Sequence, residues 1–317
     1  MLDKRTKIFV DIVIKKKKVR LNKSLIALAQ NNRVLFYVAN IAGQTDVIEV
    51  GETWIEKLKK TIDFIQKNLG RSFEYSITRT YKYVPFVTFD VDLFSPESDF
   101  KKVVKRFKEL GCKILSHDGS LGGRIAGAQV NVKKKSLLTI DYHQNFTWQK
   151  RKFLDIELLK DYRMKNIAGI NSKVPSAEVE FLLCMADIGH ERYNVTLLDL
   201  VWLKGLSEEI KDWDLIFDQT RKYGWHRTFR LVASRINGMS LDVYNKVLIP
   251  DIKAKMQGYS LPYFVPLWIC WISYLENILA NGQLPFTSFA YLHYCRLRYY
   301  LSGRKRMPYY DDWFIQD

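Results

Sequence analysis

At 317 residues the chain is long enough to bury the cores of two ordinary domains. Hydrophobic residues make up 47% and charged residues 26%, which argues against a disordered or fibrous class and sets a soluble globular protein as the expectation. The 50 Lys and Arg against 34 Asp and Glu leave a formal charge of +16; this favours polyanionic partners such as nucleotides, RNA and DNA, and a merely solubilising surface would have it too.

Residues 1 to 23 interleave charge with short apolar runs, unlike a signal peptide. Within them Lys7 to Ile14 is rich in β-branched residues and predicts a strand or short apolar segment before the basic block Lys15 to Arg20. Apolar positions from Lys23 to Ala42 predict a helix pair broken at Asn31-Asn32, and Trp54, Ile55, Leu58, Ile62, Ile65 and Leu69 mark the apolar face of a helix from about Thr53 to Leu69, stopped by Gly70. That helix is expected to pack on a sheet. Its strands are read at Phe73 to Ile77, Phe86 to Phe94, Lys113 to Ser116, Ile125 to Val132 and Leu137 to His143, with a helix Ser98 to Leu110 ended by Gly111.

After about Asn145 strand-like alternation gives way to helical periods, so an all-α second half is expected. Pro175 opens a helix with Glu178 and Glu180 in its first turn, where the helix dipole favours negative charge. Further helices are predicted near Leu197 to Leu203, Trp213 to Tyr223, Trp225 to Arg235, Leu241 to Lys255, Phe264 to Ala280 and Ser288 to Leu301. The most apolar stretch, Tyr263 to Leu275, contains Pro266 and is too short for a bilayer, which needs about 20 helical residues. Cys112, Cys184, Cys270 and Cys295 are scattered among apolar neighbours with no C-x-x-C pair, so reduced core cysteines and a cytoplasmic location, with no membrane partner, are expected.

The chemistry concentrates in Val87-Thr-Phe-Asp-Val-Asp-Leu-Phe94. On a strand, Asp90 and Asp92 point to one face while Val91 and Leu93 point to the other. Two close carboxylates repel, and a divalent cation bridging them and a phosphate removes that penalty. Asp141, at the end of the later apolar strand, reaches the same spot if the two strands are neighbours; three carboxylates facing one cleft suit two-metal phosphoryl or nucleotidyl transfer. The opposing reading is an ordinary exposed strand face.

Here the sequence resembles the nucleotidyltransferase fold superfamily: a helix, a strand, a turn, a strand bearing alternating apolar and Asp residues, and a later strand with one more Asp, over roughly Thr53 to His143. The second half is similar to the helical part of an uncharacterised nucleotidyltransferase family in Pro175-Ser-Ala-Glu178, Leu197-Leu-Asp-Leu200, Ile210-Lys-Asp-Trp213 and Thr220-Arg-Lys-Tyr-Gly224. The resemblance implies an α+β fold, a nucleotidyltransferase-like domain over 1–165 with N-terminal helices and an all-α domain over 166–317. It also implies Asp90, Asp92 and Asp141 as catalytic and metal-holding residues, with Mg²⁺ or Mn²⁺ as cofactor.

The superfamily's Gly-Ser or Gly-Gly pair ahead of the D-x-D strand is missing. The connector is Ile77-Thr-Arg-Thr-Tyr-Lys-Tyr83, and Thr78, Arg79, Thr80 and Lys82 are the candidates to bind phosphate in its place. The cluster Asp118-Gly-Ser-Leu-Gly-Gly-Arg124 reads as a flexible hairpin lacking the Walker A lysine, with Arg124 able to reach a substrate. His117, His143, His190, His226 and His293 lack zinc spacing; His143, on the face of Asp141, is either a substrate contact or a structural histidine. The C-terminal cluster Arg296, Arg298, Tyr299, Tyr300, Arg304, Lys305 and Arg306 fits base stacking and phosphate contact, or a solvated basic tail.

The expected function is transfer of a nucleoside monophosphate from an NTP to a hydroxyl on an acceptor, with RNA, for example a tRNA end, preferred over a protein or small molecule. The alternative is a non-catalytic nucleic-acid-binding or interaction protein that keeps the fold. A regulatory protein partner is open on either reading.

Overall fold

The computed structural model describes residues 4–70, 72–116, 129–144, 147–148, 151–255 and 258–281. The glycine cluster with Arg124, His117, the start of the strand expected from Ile125, the helix expected at 288–301 and the basic C-terminal cluster lie outside the described residues.

The chain opens with four helices: α1 (Lys4–Lys15), α2 (Lys23–Asn31), α3 (Leu35–Ala42) and α4 (Thr45–Leu69). The segment read as a strand is therefore helical. Phe9, Val10, Ile12 and Val13 recur at helical spacing and are all buried, so tertiary burial overrides β-branched propensity. The expected break at Asn31-Asn32 is present, and Asn32 is fully buried there: its side-chain oxygen accepts from the backbone N–H of Leu197 at 3.0 Å while its amide donates to Leu28 at 2.9 Å.

A five-stranded mixed sheet follows, built from β1 (Ser76–Thr78), β2 (Asp90–Phe94), β3 (Lys113–Ser116), β4 (Gln129–Lys133) and β5 (Thr139–His143) in the order β1-β2-β5-β4-β3. β2 and β5 are parallel; every other pair is antiparallel. The parallel pair needs a crossover, which α5 (Glu97–Glu109) begins. One sheet face is apolar: Ile77, Val91, Leu93, Val132, Ile140 and Tyr142 pack with Leu58, Ile62, Ile65 and Leu69 of α4 and Val103 and Phe107 of α5 in one core.

Short strands β6 (Thr147–Trp148) and β7 (Arg151–Lys152) lead to a hairpin of β8 (Tyr162–Ile167) and β9 (Ile170–Pro175). This hairpin stands where the sequence reads as helical. Its first strand is mostly solvated, so no apolar alternation announces it; Ala168 and Gly169, both at positive φ (50° and 87°), form its two-residue turn.

Helices α6 (Ala177–Ala186), α7 (Leu197–Ser207), α8 (Trp213–Lys222), α9 (His226–Tyr244) and α10 (Leu267–Asn281) complete the fold. A π-helical turn, Asp187–Arg192, extends α6. The two helices expected on either side of residue 238 are one through Tyr244, and Asn245, at φ 54°, ends it, so the remainder of the span to Lys255 is not helical. These helices and α1 to α3 share a second, larger core. β2 serves both cores: Val91 and Leu93 belong to the sheet core and Phe94, on the face of Asp90 and Asp92, to the helical one. Among the described residues no helix is long and apolar enough to cross a membrane.

Candidate active site

The face of the sheet opposite α4 and α5 is polar, and strand register decides what it gathers. Asp92 pairs with Asp141 across β2 and β5, Thr78 pairs with Asp92 across β1 and β2, and Asn131 pairs with Asp141 across β4 and β5. Directly paired residues point to the same face, so Thr78, Asp92, Asp141 and Asn131 form one row. The next row along holds Ser76, Phe94 and His143, and on the other side Asp90 pairs with Thr139. All three aspartates thus share one face, on adjacent strands.

Asp92 is the centre of the row. Arg79 donates from Nε to Asp92 Oδ2 at 3.1 Å and from Nη2 to Oδ1 at 2.6 Å, a two-pronged charge-assisted pair, and His143 Nε2 lies 3.0 Å from Oδ1. Burial alone would raise the Asp92 carboxyl, but the Arg79 guanidinium and the His143 hydrogen bond outweigh it and hold Asp92 well below the usual carboxylate range. Burial pushes the His143 imidazole down, against the pull of Asp92. Asp90 keeps solvent access, with Thr88 Oγ1 at 3.3 Å from its carboxylate; its pKa is nevertheless raised, by the desolvating surroundings first and then by the Asp92 charge.

The connector that replaces the usual small-residue turn is held from the helical half. Arg79 has φ 55°, and its backbone N–H is shared by both carboxylate oxygens of Glu180, at 3.0 and 3.1 Å. Glu180, in the first turn of α6, is almost completely buried, and that burial raises its pKa to about 7. Lys82 lies near it, over the Trp202 ring of α7, with its pKa lowered by burial to about 7. Tyr83 donates to Glu209 at 2.8 Å and packs against Gly205, where a Cβ would stand 2.2 Å from its ring.

Register and contacts therefore bring Thr78, Arg79 and His143 together with Asp92 on the carboxylate face. The Thr80 hydroxyl donates to the Thr78 carbonyl at 3.0 Å and Lys82 sits against α7, while Arg124 is not among the described residues. The hydroxyls of Ser76 and Thr78 are buried on this face with no hydrogen-bond partner among the described residues.

The donor set consists of hard carboxylate oxygens on one face, which suits Mg²⁺ or Mn²⁺ and not a zinc site built from His and Cys. In the conformation seen, both oxygens of Asp92 are engaged by Arg79, and among the described residues no three His, Cys, Asp or Glu side chains are gathered as a ready-made ligand set. The donor chemistry suits a divalent cation, but the carboxylates are not gathered around one point, and Arg79 and His143 would have to leave Asp92 for an ion to bind.

The later motifs have specific structural tasks. Ser176 caps α6 and Glu178 accepts from the backbone N–H groups of Lys211 and Asp212, so Pro175-Ser-Ala-Glu178 fastens the Ile210-Lys-Asp-Trp213 loop. Asp199 closes a capping box with Thr196 and takes two hydrogen bonds, each 3.1 Å, from Arg192. Lys222 and Tyr223 hold Asp155, and Thr220 lies 2.7 Å from His226 Nδ1. The tasks of Glu178 and Glu180 escape a local reading because each partner is far off in sequence; their only nearby signal is acid in a first helical turn.

The family model described as an uncharacterised nucleotidyltransferase matches residues 88–239, just under half of the chain. The match takes in all three aspartates, His143, Glu178 and Glu180, and leaves the Thr78 to Lys82 connector outside. No curated protein and no solved structure matches the chain.

Proposed function

On the footing that residues 88–239 belong to this nucleotidyltransferase family, we propose that the protein is a metal-dependent nucleotidyltransferase that moves a nucleoside monophosphate from an NTP to a hydroxyl acceptor, with RNA preferred. The observation that carries the reading is the parallel register of Asp92 with Asp141, with Asp90 two residues along on the same face.

Asp90, Asp92 and Asp141 would hold the Mg²⁺ or Mn²⁺, which supplies charge neutralisation at the triphosphate. Arg79, once released from Asp92, would meet two phosphate oxygens with the same two-pronged geometry. The buried Thr78 hydroxyl is a second donor on that face. In the transfer the acceptor oxygen bonds to the α-phosphorus, the bond to the β-phosphate bridge breaks, and pyrophosphate leaves with the electron pair. The acceptor proton passes to a carboxylate, for which Asp141 is the candidate.

A non-catalytic binder is the second reading, favoured by the absent small-residue pair and by the Arg79–Asp92 pairing, which satisfies the carboxylate without a metal ion. Thermal unfolding with each NTP, with and without Mg²⁺, separates the two. The enzyme should gain about 3 kcal/mol at a ligand concentration roughly a hundredfold above its dissociation constant and lose that gain in Asp90→Asn. Absence of any metal-dependent NTP effect sinks the proposal. Incubation with α-labelled NTPs and cellular RNA or protein then reads the acceptor.

A further inference from the structure

Away from the carboxylate face, the start of α9 and the end of α8 border an open cleft of about 540 Å³ lined by Arg221, His226, Arg227, Arg230 and Glu276, among others. Its charges are unbalanced. Glu276 accepts from the backbone N–H groups of Arg227 and Thr228, at 3.0 and 3.1 Å, and from the Thr228 hydroxyl, so its carboxylate is occupied in capping α9. Arg221 reaches Asp218, and both side chains are solvent-exposed, a pairing of little strength. Arg227 and Arg230 are exposed and form no salt bridge among the described residues.

Their placement is regular. Arg227, Arg230 and Ser234 fall on one face of α9 at spacings of three and four residues. The Ser234 hydroxyl donates to the Lys253 carbonyl at 2.8 Å and the Ser234 backbone carbonyl accepts from the Lys255 N–H at 3.0 Å, which brings two exposed lysines to the far end of that face. At 1.5 Å per residue the stripe from Arg227 to Ser234 is about 10 Å long. His226 registers the field: desolvation first, then the charges of Arg221 and Arg230, lower its pKa.

We propose that this cleft and stripe form a phosphodiester-binding site for the backbone of a nucleic acid strand. The inference rests on the reading above only in taking that strand to be the RNA acceptor. Unpaired guanidinium groups repel one another, and a run of phosphates relieves that repulsion while releasing counterions. Contacts from guanidinium groups to phosphate oxygens carry no sequence information, so binding through them should be strong in salt dependence and weak in sequence preference.

The test uses the full chain and a fluorescein-labelled single-stranded RNA of about 20 nucleotides, followed by anisotropy over a salt series. The Arg227→Gln/Arg230→Gln double variant should bind about tenfold more weakly at low salt, with the slope of log affinity against log salt reduced by about 1.4. Lys59→Gln/Lys60→Gln, on the exposed side of α4, makes the same charge change and should stay within about twofold of the unaltered chain. The proposal is overturned if both double variants lose affinity equally, if the arginine variant keeps the original slope, or if the unaltered chain binds no RNA. Binding of the matching DNA through the same arginines keeps the phosphodiester site and removes RNA as its source; binding of anionic vesicles through them without RNA binding overturns it. Metal-dependent stabilisation by NTP is followed on the unaltered chain without RNA, so failure of nucleotidyl transfer and failure of the cleft are read separately.

Discussion

Arg79 carries more of the site than any other side chain outside the aspartates, because its amide answers to Glu180 and its guanidinium to Asp92. Removing one partner of a largely buried ion pair leaves the other uncompensated, so Arg79→Ala should lower the unfolding free energy by about 3 kcal/mol in urea titrations. Arg79→Lys should recover only part of this, since an ammonium cannot fork across both oxygens. The aspartates themselves were legible in the sequence: a period of two with Val91 and Leu93 alternating against Asp90 and Asp92 gives the face, and the apolar run before Asp141 gives the second strand. Glu180 was not, because its contact with Arg79 spans 101 positions and leaves no local pattern.

Elements that flank the site fail or succeed by how they meet the connector. Gly205 of α7 lies so close to Tyr83 that a methyl group cannot be added without displacing the ring. Gly205→Ala should therefore destabilise the chain by about 2 kcal/mol despite better helix propensity, a loss seen as a lower melting temperature. At the start of the same helix, Asp199 has its pKa lowered from 3.8 to about 2: burial opposes the shift, and Arg192 and the Thr196 amide outweigh it. A depressed acid adds stability that is complete above its unfolded value and lost as pH falls through the folded one. Asp199→Asn should thus cost about 2 kcal/mol at neutral pH, and its acid-unfolding curve should converge on that of the unaltered chain between about pH 4 and 2.

Element types were readable where apolar spacing was strong, as in α4, α5 and α6, and misread where solvent or tertiary burial set the outcome. The hairpin β8–β9 has a mostly solvated first strand and announces itself only by its turn. α1 is written in strand-like residues but buries Phe9 and Val13 in the helical core.

Across the whole molecule, the polar sheet face carries the catalytic proposal, the connector ties that face to the helical half, and the basic cleft lies on α8 and α9. The order of β2, β5 and β4 in the sheet was not written in the sequence; the register that pairs Asp92 with Asp141 appears only once the sheet is assembled.

One strand, β2, sends Leu93 into the sheet core and Phe94 into the helical core. Slack introduced on either side must therefore travel through the segment bearing Asp90 and Asp92. Ile62→Ala and Phe229→Ala, each hollowing a different core, should both quicken amide hydrogen exchange at residues 91–94, and an effect confined to one of them would show that the two halves loosen independently.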